Sequence, residues 1–288
     1  MKVDLLVVGD IAWDTVVRAS RWPERDQDFL AEIREGPGGQ GFNIAVWARA
    51  TGARVALVTQ LGRGARSQEL GRIAGLRGVE LCATTWADPL TRVVSIVDGE
   101  GQRALLTHPG PGPLAPPGED WSAGMLVLSG YLLARPGGGD RVTAWLAWAT
   151  RRGIPVAADL SHPDVAGAFA PYAARLAWLF GNEAEWAAFA CPQSELPPNR
   201  VVKRGALGAK VVAGSLSLSA VPPDPVAAGD STGAGDCLMG TLLGALATGR
   251  DLAAAFALAM ERAAAVSRMP GSLPDIGQQP PERNGLRT

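Results

Sequence analysis

The sequence is poor in the residues that build metal and redox centres. Two histidines, His108 and His162, are too few for a His-based metal site, which needs several convergent ligands. Three cysteines, Cys82, Cys191 and Cys237, are odd in number, far apart and form no Cys-x-x-Cys, so reduced thiols in a cytosolic protein are expected. Neither sign of charge dominates: 27 Lys and Arg face 28 Asp and Glu, with a net charge of -1 and a pI near 6.2. That balance gives no global basic field, so neither nucleic acid nor an anionic membrane is an expected partner. No stretch reaches the ~18 uncharged apolar residues of a membrane helix. The apolar run Leu5–Val8 is too short for the core of a signal peptide, and Asp4 adjoins it, so a cytoplasmic location is expected. Internal repeats and DNA-binding motifs are also missing.

What is present is apolar surface and glycine. Of 288 residues, 47% are hydrophobic and 36 are Gly, enough for a large core in one domain or two small ones. Residues 3–8 read as a buried strand ended by Gly9, with Asp10 and Asp14 beyond its carboxyl end, where open α/β sheets bind ligands. Asp14 there is either a solvated loop residue or a hydrogen-bond acceptor for ligand hydroxyls. Residues 26–36 partly alternate and suggest an exposed strand. A glycine cluster, Gly36 to Gly41, leads into a small-residue helix over 44–51 that stops at Gly52. Val55–Thr59 is a second buried strand, and Ser67–Gly75 is helical. Thr91–Val97 and Gln102–Thr107 form a hairpin about Asp98–Gly101. Strands at Met125–Leu128, Pro155–Ala158 and Leu176–Phe180 alternate with a helix over Asp140–Arg152 that carries Val142, Trp145, Leu146 and Trp148 on its core side. This is the rhythm of a doubly wound sheet.

After Phe180, Asn182 and Glu185 stand three apart on a first helical turn. They fit a capping box, and equally an amide and a carboxylate holding Mg²⁺ through its waters. Val201–Val212 reads strand, glycine turn, strand, with Lys203, Gly205 and Gly208 at the turn; Glu261–Ser267 is helical. The most informative stretch is Asp230-Ser-Thr-Gly-Ala-Gly-Asp236, followed by an apolar run, Cys237–Ala247. Gly233, Ala234 and Gly235 let the backbone turn tightly before a helix. The helix start then aims unpaired N–H groups and the positive end of its dipole at whatever lies in front. Such a site suits a phosphoryl group in transfer. Asp236 is either an ordinary capping residue or the base that takes a proton from an attacking hydroxyl.

DSTGAGD resembles the DTxGAGD signature of the PfkB (ribokinase-like) family of carbohydrate and nucleoside kinases. Gly38-Gly-Gln-Gly-Phe-Asn-Ile-Ala45 resembles that family's GGxxxNxA, and Asn182–Glu185 its NxxE. The turn at 203–208 resembles its Thr-x-Gly-x-x-Gly, with Lys203 where Thr is common. Cys237-Leu238 replaces the usual Ala-Phe. The resemblance runs in family order from Asp14 to a closing loop at Arg268–Pro274.

It implies a ribokinase-like three-layer α/β/α fold with a mainly parallel sheet and a small β lid, in a single domain over 1–288 with lid segments at about 26–37 and 90–108. It implies ATP-dependent phosphorylation of a hydroxyl on a small sugar. Asp236 is then the base, and Gly233, Ala234 and Gly235 hold the transferred group. Asp14, Gly39 and Asn43 orient the acceptor. Asn182, Lys203, Gly205 and Gly208 serve the nucleotide, Glu185 serves Mg²⁺ through water, and Asp230 serves a monovalent cation such as K⁺. A nucleoside kinase of the same family is the first alternative, with Trp13, Phe42 and Trp86 as candidate contacts for a base. A non-catalytic sugar- or nucleotide-sensing protein is the second. A dinucleotide oxidoreductase is disfavoured, because Gly9-Asp-Ile-Ala and not GxGxxG follows the first strand. An exposed lid strand also suggests a homodimer.

Overall fold

A computed structural model of the chain describes residues 1–85, 90–100, 102–110, 116, 120–222, 232–269 and 271–273. The first strand, β1 (Lys2–Val8), sends Leu5 and Val7 to one face and Leu6 and Val8 to the other, and both sets are buried. A strand apolar on both faces belongs inside a sheet covered on both sides. The chain continues through β2 (Ala12–Ala19), β3 (Ala31–Gly38), α1 (Gln40–Arg49), β4 (Val55–Leu61), α2 (Ala65–Leu76) and β5 (Glu80–Thr85). Then come β6 (Arg92–Val97), β7 (Arg103–His108), β8 (Ser122–Leu128), α3 (Gly138–Arg151), β9 (Val156–Asp159) and α4 (Pro163–Ala166). The last part holds β10 (Trp178–Asn182), α5 (Glu183–Ala188), β11 (Asn199–Lys203), β12 (Ala209–Ala213), β13 (Leu216–Ala220), α6 (Ala234–Ala247) and α7 (Leu252–Val266).

Among the described residues, nine strands pair in the order β13-β12-β11-β10-β9-β8-β1-β4-β5. From β11 to β5 the pairing is parallel; β12 and β13 add an antiparallel edge. One face packs α1, α2, α6 and α7 through residues such as Phe42, Leu70, Leu242 and Phe256. The opposite face packs α3 and α4 through Val142, Trp145, Trp148 and Ala166. The fold is thus α/β with helices on both sides of a mainly parallel sheet. The sheet order reverses direction around β1, with β4 on one side and β8 on the other, which is where such sheets leave a crevice.

A second sheet, β3-β2-β6-β7, forms the lid. The lid includes a strand that the sequence pattern does not announce: Asp14, expected in a loop after β1, lies within β2, paired to both β3 and β6. Residues 26–30 are not strand, and β3 starts at Ala31. The alternation in β2 is polar on both faces because one side faces a cavity and not a core. The edge strand β3 is exposed from Ala31 to Glu35.

The helices α1 and α6 meet at small residues. A Cβ on Gly240 would overlap Ile44 O, and one on Gly244 would lie 2.7 Å from Ala48 O. The two helices therefore touch backbone to backbone, and they carry Asn43 and Asp236 respectively.

Candidate active site

A cavity of about 770 Å³ follows the carboxyl ends of the parallel strands. Asp10 follows β1, Asp159 ends β9, Asn182 ends β10 and Lys203 ends β11; all four line it. The lid covers one end with Val16, Val93 and Leu105. The β11–β12 turn and α7 bound the other, with Gly205, Met260 and Ala263. Four strand spacings separate β1 from β11, roughly 19 Å at about 4.8 Å each. That span accommodates two small molecules end to end.

At the centre is the start of α6. Its N-cap is Gly233, at φ 79, with no side-chain cap. That backbone conformation is open to glycine, and a Cβ there would also overlap Ser272. The first N–H groups of α6, at Ala234, Gly235 and Asp236, belong to the turn that makes no intrahelical bond. They line the cavity. Asp236 Oδ2 accepts from Asn43 Nδ2 at 2.9 Å, and Asn43 Oδ1 accepts from Ser272 Oγ at 3.1 Å. Burial first, and then the Asp159 carboxylate, push the Asp236 carboxyl up to about 7, against the stabilising bond from Asn43. A carboxyl poised near neutrality suits proton abstraction.

Asp14 projects from β2 into the lid-covered end. Burial, and secondarily Asp236, push it up to about 7 as well. Its Oδ1 is buried and has no hydrogen-bond partner. Gly38 of β3, which pairs with Ala12 two residues along β2, makes room for it: a Cβ there would overlap the Asp14 carboxylate. Next to it, Asp10 Oδ2 accepts from Arg135 Nη2 at 2.7 Å. Gly39, the N-cap of α1, lines the same end.

At the end of the cavity beyond β10 and β11, Lys203 Nζ donates to Asp159 Oδ2 at 2.7 Å and lies 4.0 Å from Glu185 Oε2. Burial would lower the Lys203 pKa, but Asp159 and Glu185 outweigh it and raise it. Burial raises Glu185, partly offset by Lys203. Asp159 Oδ1 accepts from Gln40 Nε2 at 3.3 Å and Ser161 N at 2.8 Å. Asn182 and Glu185 form the capping box: Glu185 Oε2 accepts from Asn182 N at 2.7 Å, and Asn182 Oδ1 from Glu185 N at 2.9 Å. Glu185 Oε1 accepts from Asn182 Nδ2 at 2.8 Å. With both oxygens so engaged, Glu185 fits an ion that keeps its waters, as Mg²⁺ does. Among the described residues no group of three or more His, Cys, Asp or Glu is placed to hold a metal by itself.

Twelve of the thirteen residues expected from the sequence line this one cavity: Asp14, Gly39, Asn43, Asn182, Glu185, Lys203, Gly205, Gly208, Gly233, Ala234, Gly235 and Asp236. Asp230 lies outside the described residues, as does Trp86. The other two aromatic candidates are elsewhere. Phe42 is fully buried in the core, and the Trp13 ring lies under the Arg66 guanidinium, 5.7 Å away. Residues the sequence did not single out are Gln40, Arg103, Tyr131, Arg135 and Asp159, all lining the cavity. Arg103, on lid strand β7, donates to Thr232 Oγ1 at 2.5 Å, next to the start of α6. No local motif marks these side chains, because their partners are remote in sequence.

A sequence profile described as pfkB family carbohydrate kinase matches residues 2–276. No curated protein matches the chain in sequence. Among solved structures, adenosine kinase from Sinorhizobium meliloti superposes with a TM-score of 0.82 at 20% identity, covering 95% of this chain and 96% of that one. A probable sugar kinase from Rhizobium etli gives 0.78 at 20% identity, with 94% and 95% covered. Ribokinase from Cryptococcus neoformans, in complex with ADP, gives 0.75 at 18% identity, with 93% and 95% covered. No helix among the described residues is long and apolar enough to cross a membrane.

Proposed function

Because the chain belongs to the pfkB family of carbohydrate kinases, ATP-using phosphotransferases with an alcohol acceptor, we propose that it phosphorylates a hydroxyl of a small sugar. The observation that carries this is the start of α6: a carboxyl pushed up to about 7 shares one helical turn with unpaired N–H donors, and Asn43 orients it. In the proposed reaction the acceptor hydroxyl gives its proton to Asp236. Its oxygen forms the new bond to the γ-phosphorus, the bond to the β–γ bridging oxygen breaks, and ADP leaves with that electron pair. The N–H groups of Ala234, Gly235 and Asp236 stabilise the charge on the group in flight. Asp14, Gly39 and Asn43 orient the acceptor. Lys203, Gly205 and Gly208 take the nucleotide phosphates and their surroundings, and Arg103 adds a lid cation at the same point. Asn182 and Glu185 would hold Mg²⁺ through its waters, and the ion would neutralise phosphate charge.

A sugar is favoured over a nucleoside by the acceptor end of the cavity. It presents Asp10, Asp14 and Asn43, whereas Trp13 and Phe42 face elsewhere. Among the described residues lining the cavity, Tyr131 is the one aromatic. ADP release from ATP and Mg²⁺ over neutral sugars and nucleosides tests the proposal. Turnover confined to sugars is expected. Turnover confined to nucleosides, or none despite measurable ATP binding, counts against it.

A further inference from the structure

Among the described residues, three cationic side chains line the cavity: Arg103, Arg135 and Lys203. Two of them stand where phosphate must be handled. Lys203 is bound to Asp159 below the start of α6, and Arg103 to Thr232 beside it. Of these three, Arg135 lies at the acceptor end, and it is buried and committed. Its Nη2 donates to Asp10 Oδ2 at 2.7 Å and approaches Thr91 Oγ1 at 3.4 Å, and its Nη1 donates to Gly110 O. Thr91 and Gly110 flank the β6–β7 hairpin, and Gly110 N donates back to Thr91 Oγ1 at 3.0 Å. Arg135 thus holds both ends of the hairpin to the loop after β1. Its charge is matched by Asp10, so it offers nothing to an anionic ligand.

The remaining groups at this end ask for donors. Asp14 Oδ1 is buried and unpartnered. Asp10 keeps lone pairs beyond the one given to Arg135, since an ionised carboxylate accepts about four hydrogen bonds. Hydroxyls supply such donors; a phosphate or carboxylate substituent has none to give, and among the described residues at this end it would find no uncommitted cation to replace its hydration.

We infer that the acceptor is an uncharged polyol, not a sugar phosphate or sugar acid, and that Arg135 is the positioning residue that enforces this by holding Asp10. The inference rests on the kinase reading above for its chemistry but is tested separately from it. Acceptor pairs that differ by one anionic substituent (ribose and ribose 5-phosphate, fructose and fructose 6-phosphate, glucose and glucuronate) are compared by kcat/KM with ATP, and by thermal shift without ATP. The neutral member of any pair that is used is expected to be preferred by ~100-fold or more. Equal or better use of the anionic member overturns the inference and leaves the kinase reading intact. Thermal shifts by neutral members with no ADP formed sink the kinase reading and leave the inference intact. No neutral member binding or reacting at millimolar concentration overturns the inference.

Asp10→Asn leaves the guanidinium uncompensated. It is expected to raise the acceptor KM about tenfold, a lost hydrogen bond to a charged group, to leave the ATP KM unchanged, and to narrow the neutral-over-anionic preference. An unchanged preference removes the Asp10–Arg135 pair as its cause. Should that variant fail to fold, Arg135→Lys keeps the charge and loses the forked contacts. Its acceptor KM should rise with the ATP KM unchanged; equal effects on both would mean a merely structural role.

Discussion

Replacing Asp236 by Asn should give a protein that is nearly inactive and yet more stable. The carboxyl is raised from 3.8 to about 7. At 1.36 kcal/mol per pH unit, that corresponds to roughly 4 kcal/mol of folding free energy withheld once the group ionises, an upper figure because the cavity admits water. The sign follows from proton binding. Between pH 4 and pH 7 the folded state holds this proton and the unfolded state does not, so stability falls as pH rises through that window. Above about 7 both states are ionised and the loss is complete. Asn keeps the shape and can still accept the 2.9 Å bond from Asn43 Nδ2, but it carries no charge to bury. The stability gap between variant and parent should therefore be small near pH 4 and full at pH 8. At ~2 °C per kcal/mol for a chain of this size, it should reach several degrees in Tm at pH 8. Turnover should fall ~10²–10⁴-fold, as for loss of a catalytic base. In the parent, kcat/KM should rise with pH through an apparent midpoint near 7. That midpoint belongs jointly to Asp236 and Asp14, which is raised to about 7 beside it. Thermal melts at pH 5 and 8, with a coupled ADP assay, decide the matter. Turnover within tenfold of the parent would refute the base assignment. An equal Tm gap at both pH values would refute the buried-charge argument.

Two further substitutions probe the lid. Gly38→Ala puts a methyl group into the Asp14 carboxylate, so the acceptor Kd should rise at least ~10-fold with ATP binding unaffected, as isothermal titration with each ligand would read; unchanged acceptor affinity would show that Asp14 has no part in binding it. Arg103→Ala removes the lid cation that donates to Thr232. Its kcat should fall ~10–100-fold, with acceptor affinity in the absence of nucleotide unchanged, and a pure acceptor-binding defect would contradict its position at the phosphoryl end.

Much of this was legible in the sequence because the chemistry here is locally encoded. The buried parallel strands are short apolar runs, and a helix start that binds anions needs small residues beside one another, as in Gly233-Ala-Gly-Asp236. The capping box at Asn182 and Glu185 is likewise a matter of three-residue spacing. What escaped was whatever depends on chain crossings. The strand β2 reads Ala-Trp-Asp-Thr-Val-Val-Arg-Ala, whose polar positions look like a loop until one face is seen to line a cavity. Arg135 meets Asp10 across 125 residues, and Lys203 meets Asp159 across 44. No periodicity reports such pairings. The family resemblance assigns Lys203 to the nucleotide, but its carboxylate partners emerge only with β9 and β11 on either side of β10.

The glycine-mediated contact between α1 and α6 has a bearing on how acceptor preference can change. Gln40 and Asn43 ride on one helix and Asp236 on the other, and with backbones touching at Gly240 and Gly244 neither can slide without the other. The distance from the Asp236 carboxyl to the Asn43 amide is therefore a property of the scaffold. The lid strands and the Asp10 loop lie outside this locked pair. New acceptors can be explored by exchanging those parts as a cassette while the chemical step keeps its alignment. Drift at either glycine would disturb every acceptor alike.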